Sequence, residues 1–292
     1  MKKVIIAALC FSFLLPSTAQ AKSKGTLKVL TLNTWGLPMP LGQKINERMS
    51  RIASAITDYD VVFLQETFDN KFKELPGISQ FPYIHFPDHG HVGHLRSGLM
   101  TLSKYPIVEK KLKSFNHCLY PDCMAHKGIL FTRIAHPQLG YVDLYNTHYQ
   151  SRQGKAAKEV RSHADNALMQ TMVLENHQYY PTILAGDFNF VPKGPEYLDL
   201  MKRLPLVDTF LAQKDLALGK KNKRFQDTIR FPYQSSKSWD RIDYIFALKN
   251  SPFEMGVKHS KVVFNTPYKG VYLSDHNGVS SVIQFTPKKG QR

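Results

Sequence analysis

The sequence predicts an α/β fold, a single domain in which two sheets pack together with helices outside them. Three observations carry that expectation. Apolar runs of strand length recur along the chain, such as Val61-Val62-Phe63-Leu64, and a run of this kind suits a strand buried on both faces. Residues at helical spacing fall between these runs. The chain has 292 residues, 42% of them hydrophobic, with no internal repeat and no linker, which is enough to bury one large core.

The elements follow in order. Leu27 to Asn33 reads as a strand, with Leu27, Val29 and Thr31 on one face and Lys28, Leu30 and Leu32 on the other. Ile45, Met49, Ile52 and Ile56 mark a helix face, and Asp60 to Glu66 is the next strand. Phe81 to Arg96, rich in His, Gly and Pro, reads as a loop. Ser97 to Val108, Gly128 to Ile134 and Tyr141 to His148 read as strands. Val160, Ala164, Ala167, Leu168, Thr171 and Leu174 mark a second long helix. Pro181 to Asn189 is a strand, Pro195 to Arg203 a short helix, and Asp243 to Leu248, Val257 to Phe264 and Val279 to Phe285 are late strands. Mixed strand spacing points to two packed sheets with helices outside.

Composition bounds the function. Gly and Pro at 17 each and 21% charged residues argue against a disordered tail, a collagen-like fibre or a coiled coil. Thirty-nine Lys and Arg stand against 23 Asp and Glu, a net charge of +16. Such a balance favours polyanions or anionic membrane surfaces as partners. Residues 1–21 have the three parts of a secretory signal: basic Lys2-Lys3, an apolar run from Val4 to Leu15, and Ala19-Gln20-Ala21 before the cut. The run is too short for the ~20 residues that span a bilayer. Cleavage after Ala21 would leave a mature domain of residues 22–292, with a charge of about +14, secreted or periplasmic. Cys10 would leave with the leader, and Cys118 and Cys123 are expected to form a small disulfide in an oxidising compartment.

Polar residues end the apolar strands: Asn33, Glu66, His148, Asp187 with Asn189, Asp243, and Asp275 with His276. Strand ends are where a rigid scaffold presents reactive groups. Singly, each is more often a solvated end, a turn cap or a satisfied core histidine; together they are hard to attribute to solubility. Carboxylates with amide oxygens suit a hard cation such as Mg²⁺. Histidines beside acids suit general acid–base work. Neither a Gly-x-Ser-x-Gly turn nor a phosphate-cradling Gly-rich loop is present. Metal-assisted hydrolysis therefore fits better than an acyl-enzyme or an ATPase. Residue by residue, the chemistry stops short of a substrate.

Seven motifs extend the reading. Leu32-Asn33-Thr34-Trp35-Gly36-Leu37-Pro38, Leu64-Gln65-Glu66, Ser97-Gly98-Leu99 through Ser103-Lys104-Tyr105-Pro106-Ile107, Asn146-Thr147-His148, Gly186-Asp187-Phe188-Asn189, Ile242-Asp243-Tyr244-Ile245 and Ser274-Asp275-His276 stand in this order. In that order the chain resembles the DNase I-like endonuclease/exonuclease/phosphatase superfamily over nearly the whole of its mature length. The opening motif, His94-Leu95-Arg96-Ser97-Gly98-Leu99 and the segment from Asp122 to Lys127-Gly128 are most similar to its neutral sphingomyelinase branch.

The resemblance implies a four-layer αββα sandwich, with Glu66 holding Mg²⁺ (Mn²⁺ or Co²⁺ in its place) and Asn33 beside it. Asp187 would orient or deprotonate the attacking water, and Asn189 would contact a phosphate oxygen. His276, oriented by Asp243, would stabilise the phosphate's developing charge or assist proton transfer, with Asp275 near the metal. His148 would assist the leaving group. Lys127 adds a fixed positive charge near the phosphate or is an ordinary surface lysine. His85, His89, His91 and His94 match no standard zinc spacing. Lys220 to Arg224 reads as a solvated basic loop, and Asp240 with Arg241 as a surface pair.

The implied activity is a sphingomyelinase-type phospholipase C acting at a phospholipid membrane surface, with no protein partner expected. A secreted nuclease, with nucleic acid as substrate, is the alternative that the charge favours. A phosphoinositide phosphatase fits less well, as does a binding protein that keeps the fold without turnover.

Overall fold

The computed structural model describes residues 23–87, 95–176, 179–213, 228, 241–249 and 252–288. The expected leader, His89, His91, His94, Lys220 to Arg224 and Asp240 lie outside the described residues. Two six-stranded mixed sheets form the centre. Edge to edge, the first holds β11 (Phe253–Val263), β12 (Gly278–Pro287), β1 (Gly25–Asn33), β2 (Val61–Gln65), β4 (Met100–Ser103) and β3 (Tyr83–His85). The second holds β5 (Ile107–Ser114), β6 (Gly128–His136), β7 (Gly140–His148), β8 (Thr182–Asp187), β10 (Asp243–Leu248) and β9 (Leu206–Asp208). In each sheet one central pair is parallel, β1 with β2 and β7 with β8, and the other pairs are antiparallel.

Three apolar layers account for the stacking. Leu27, Val29 and Phe63 of the first sheet meet Leu144, Ile183 and Ile245 of the second between the sheets. Leu30, Leu32 and Leu64 face outward onto Met49, Ile52 and Ile56 along α1 (Ile45–Ala55). Phe131, Tyr145, Leu184 and Phe246 face the other way, onto Met169 and Val173 of α3 (Asn166–Asn176) and Leu200 of α4 (Pro195–Arg203). The central strands are apolar on both faces because both faces are covered. Each fully buried Leu or Phe contributes about 1.5–3 kcal/mol. The order helix, sheet, sheet, helix is the expected four-layer αββα sandwich.

The departures from expectation have physical reasons. The stretch from Ser97 to Val108 is two strands in different sheets, because Pro106 lacks the N–H needed to continue a ladder. Its second half runs on as the Lys-rich edge strand β5, whose charges guard the open edge. The loop from Phe81 contains the short strand β3. The second long helix carries a π turn, Arg161–Asp165, between α2 (Lys155–Val160) and α3. That turn shifts the buried face to Ala157, Arg161, Asp165, Asn166, Met169, Met172 and Val173, while Leu174 is exposed. Strand β9 and α5 (Thr209–Ala212) are additional. Arg241 is not a surface residue: it is 1% exposed and donates to both carboxylate oxygens of Asp208 at 2.6 and 3.2 Å. Among the described residues, no helix is long and apolar enough to cross a membrane.

His85 is a core histidine, with Nδ1 2.8 Å from the Thr132 hydroxyl. Burial, with help from the Lys110 charge, lowers its pKa from 6.5 to about 4. The neutral ring therefore supports the fold fully above pH 6.5, and that support is lost as pH falls towards 4. The expected loss across this window is on the order of 3 kcal/mol, at 1.36 kcal/mol per pH unit. Urea unfolding at pH 7 and pH 4 checks it: His85→Gln should lose much less than the wild type, and equal losses would refute the assignment.

Candidate active site

Register assembles the site. On neighbouring strands of the second sheet, His148 pairs with Asp187 and Asp187 with Asp243, so three chemically active side chains share one row. Gly186 makes this row possible. Its φ is 149°, and a Cβ there would lie 2.0 Å from the Thr147 carbonyl oxygen. Asn33 and Gln65 end the central pair of the first sheet, and Glu66 follows. Polar staples join the two strand ends beneath the site. Gln65 donates to Asn146 Oδ1 at 2.8 Å, and Asn146 Nδ2 donates to the carbonyls of Leu64 and Met100 at 3.0 and 2.9 Å.

The chain turns sharply after these ends. Trp35, Glu66 and Asn189 have φ of 48°, 53° and 54°, a conformation that costs a non-glycine residue on the order of 1–3 kcal/mol. Two of the three are held by the strand-end side chain. Asn33 Oδ1 accepts from Trp35 N, and Asp187 Oδ1 accepts from Asn189 N, each at 3.0 Å.

The side chains converge tightly. Asn33 Nδ2 donates to Glu66 Oε1 at 3.0 Å and to Asp187 Oδ2 at 3.1 Å. His148 Nε2 lies 3.4 Å from Asp187 Oδ2 and 4.0 Å from Glu66 Oε1. His276 Nδ1 is 2.9 Å from Asp243 Oδ2, and its Nε2 is 3.8 Å from Asp187. Ser274 ties the last loop to the first strand, donating to the Asn33 carbonyl at 2.6 Å and receiving His276 N at 3.2 Å. Asp275 Oδ1 is 3.1 Å from the Ser274 hydroxyl. Asn189 Nδ2 donates to the Tyr149 carbonyl at 3.2 Å, which leaves a second amide hydrogen for another acceptor. Every candidate residue therefore lies at this shared end of the two sheets.

Lys127 is no ordinary surface lysine: its side chain is 11% exposed. Its Nζ is 3.0 Å from Asp122 Oδ2, 2.9 Å from His148 Nε2 and 3.1 Å from the Tyr149 carbonyl. Asp122 in turn accepts from Gln150 Nε2 and from the Ser151 backbone and hydroxyl. Cys118 and Cys123 are bridged, clamping the loop that carries Asp122. A loop this short gives about 2 kcal/mol of chain-entropy stabilisation. Replacing both cysteines by alanine should lower stability by up to that amount and leave turnover substantially intact. A total loss of turnover in the folded variant would overturn this.

Electrostatics divides the roles. Burial, reinforced by Asp243, raises Asp187 to about 7 against the pull of His276, Lys127 and Asn33. Burial, with Asp275, also raises Glu66. At His276 burial opposes the charged ring, but Asp243, Asp187 and Asp275 outweigh it and hold the pKa well above 6.5. His148 is driven well below 6.5 by burial and by the nearby Lys127 and His276 charges. The site thus holds one imidazolium, His276, and one neutral ring, His148, whose Nε2 accepts from the Lys127 ammonium. Two histidines on neighbouring carboxylates are pushed in opposite directions, as acid–base assignments require.

A cation fits this donor set. Glu66 Oε2 and Asp243 Oδ1 are buried and make no hydrogen bond. Ligand atoms of Asp187, Asp243 and His276 lie within 4.8 Å of one another. His276 uses Nδ1–H on Asp243 and carries charge, so the open oxygen of Glu66 is the stronger hard-cation ligand. The sequence reading named the reactive set but not its supports: Gln65, Asn146 and Ser274 lay inside the quoted motifs, and Arg48, which bonds the carbonyls of Thr34, Trp35 and Leu273, lay outside them.

An inositol phosphosphingolipids phospholipase C of Schizosaccharomyces pombe is 26% identical over 89% of this chain and 68% of its own. A Drosophila melanogaster relative is covered over 61% of its length. A phospholipase C of Staphylococcus aureus is 26% identical over 94% of this chain and 95% of its own. Among solved structures, sphingomyelinase C from Streptomyces griseocarneus superposes with a TM-score of 0.66 at 21% identity, covering 88% of this chain and 99% of that one. A double mutant of S. aureus beta toxin with bound magnesium ions has a TM-score of 0.65 at 21% identity, covering 90% of this chain and 100% of that one. These similarities indicate a phosphodiesterase hydrolase. The Endonuclease/Exonuclease/phosphatase family model matches residues 30–276, nearly the full span from β1 to His276, and the chain belongs to that family.

Proposed function

We propose that the chain is an exported, Mg²⁺-dependent phospholipase C of sphingomyelinase type that converts sphingomyelin to ceramide and phosphocholine. The observation that carries the reading is the His148–Asp187–Asp243 row with His276 and Glu66 closing over it, in a chain whose relatives are phospholipases C. Glu66, with Asn33 beside it, would hold the cation, which supplies Lewis-acid neutralisation of phosphoryl charge. Asp187, with its pKa near 7, accepts the proton of an attacking water at neutral pH. His276, kept charged by Asp243, faces the equatorial phosphoryl oxygens, where negative charge grows during in-line attack. Asp275 adds to the potential that keeps it charged. Asn189 gives its second amide hydrogen to a phosphoryl oxygen. Neutral His148 accepts from the Lys127 ammonium at Nε2 and relays a proton to the leaving oxygen, so that the net step moves one proton from Lys127 Nζ through the ring to that oxygen. The proton inventory belongs to the coupled set rather than to single residues.

Export is supported by the Ala19-Gln20-Ala21 pattern and by the Cys118–Cys123 bridge, which belongs in an oxidising compartment. A nuclease is the second reading, favoured by the net charge of +16. Turnover on sphingomyelin vesicles, phosphatidylcholine vesicles and plasmid DNA, each with and without EDTA, separates the two. EDTA-sensitive phosphocholine release from sphingomyelin is the expected result. DNA cleavage with inert lipid would replace the lipid reading with the nuclease.

A further inference from the structure

A cavity of about 250 Å³ lies between the first half of α1 and the 3-10 turn Asn70–Glu74. Its walls are Gly36, Ile45, Met49, Phe68, Phe72 and Leu75. Asn46, Ser50, Thr67, Asp69 and Lys71 make up the polar part of the wall, and two of them have partners close by. Thr67 Oγ1 is 3.2 Å from Thr34 Oγ1, and Asp69 Oδ1 accepts Lys71 N at 2.8 Å. The apolar part of the wall offers water few partners, and an apolar cavity of about 150 Å³ already binds benzene. Its position is specific. Thr67 and Phe68 follow Glu66 directly, and Gly36 N donates to the Glu66 carbonyl at 3.0 Å. The loop that joins two of the wall residues, Gly36 and Ile45, carries Met39 and Leu41, which are 71% and 60% exposed. Large apolar side chains left in solvent on a loop that joins two walls of a largely apolar cavity suit an apolar ligand.

We propose that this cavity is a chain-binding site that takes one aliphatic chain of a lipid whose phosphodiester sits at Glu66 and His276, with Met39 and Leu41 at its entrance. The proposal rests on the lipid reading of the active site for the identity of the chain, while its binding test does not depend on turnover. Calorimetric titration with phosphocholine and with hexyl-, octyl- and decylphosphocholine, each below its micelle concentration, reads it directly. Affinity is expected to rise about fourfold per methylene, the burial value for one CH₂, until the cavity is full. Ser50 and Asn46 line the same cavity from exposed positions on α1. Ser50→Phe and Asn46→Phe, made separately so that one poorly folded variant does not decide the matter, should each flatten the series. In protein labelled at methionine methyls, decylphosphocholine should shift the Met49 signal and leave that of Met172, on the far side of the second sheet, in place. A flat series in the wild type, or an unchanged series in both variants, would overturn the site. Hydrolysis of p-nitrophenyl phosphocholine by the unmodified protein is read alongside. Its absence with a rising series would sink the proposed activity and leave the cavity assignment standing.

Discussion

His276→Ala should lower turnover of a choline phosphodiester about a thousandfold, the upper range for losing one preorganised charge-stabilising donor, and added divalent cation should not recover it. The ring is the imidazolium of the site, bonded to Asp243 at 2.9 Å and 3.8 Å from Asp187. Removing it takes away positive charge where phosphoryl oxygens become more negative. It also strands Asp243, whose Oδ1 already lacks a partner, so thermal unfolding of the variant must accompany the kinetics. Glu66→Ala should lose a comparable amount by another route. Its open Oε2 is the oxygen best placed for a hard cation, so its loss should weaken cation affinity, and turnover should climb again as Mg²⁺ is raised into the millimolar range and beyond. Kinetics against Mg²⁺ for both variants discriminate the roles. Should the two respond alike, or should Glu66→Ala keep wild-type turnover in EDTA, the separation between a cation-holding carboxylate and a charge-stabilising histidine fails.

Much of this fold and site is legible in the sequence, for identifiable reasons. The central strands announce themselves because both of their faces are buried, and Val61 to Leu64 has no other stable home. Most of the reactive residues announce themselves by sitting at a strand end: Asn33, His148 and Asp187 close β1, β7 and β8, Glu66 follows β2 and Asp243 opens β10, whereas Asp275 and His276 stand in the loop before β12. What stayed hidden depends on events that periodicity does not record. A π turn of one extra residue between α2 and α3 moved the buried face, so a regular 3.6-residue pattern selected Leu174 instead of Met169 and Val173. Strand β5 carries Lys110, Lys111 and Lys113 and looks like solvated loop, because an edge strand is protected by the charges that disguise it. Arg161 and Arg241 were unreadable as core because a buried guanidinium is stable only with a distant partner: Glu196 lies 35 residues from the first, and Asp208 lies 33 from the second. Lys127 was ambiguous in the same way, with its setting decided by His148 rather than by its neighbours in sequence.

Arg161 carries the second large effect. It is fully buried, donates to Glu196 Oε1 at 3.1 and 2.7 Å, and donates to the carbonyls of Gln150 and Arg152 at 2.9 and 2.8 Å. Arg161→Met should therefore cost about 3–5 kcal/mol, because it leaves Glu196 as a buried, unpaired charge. Arg161→Lys should be only partly better, since an ammonium cannot reproduce the fork that reaches both a carboxylate and two carbonyls. The double change Arg161→Met with Glu196→Leu removes the stranded charge and should recover most of the stability in urea unfolding. Turnover should not recover with it. The two carbonyl bonds hold the segment after His148, and the Tyr149 carbonyl in that segment accepts from both Lys127 and Asn189. With the segment loosened, both side chains lose a fixed point, and displacements of about 1 Å cost about a hundredfold in rate. If the double variant regained both stability and turnover, Arg161 would be a packing element alone, and the placement of Lys127 and Asn189 would have to be secured by Asp122 and by the backbone turn at Asp187.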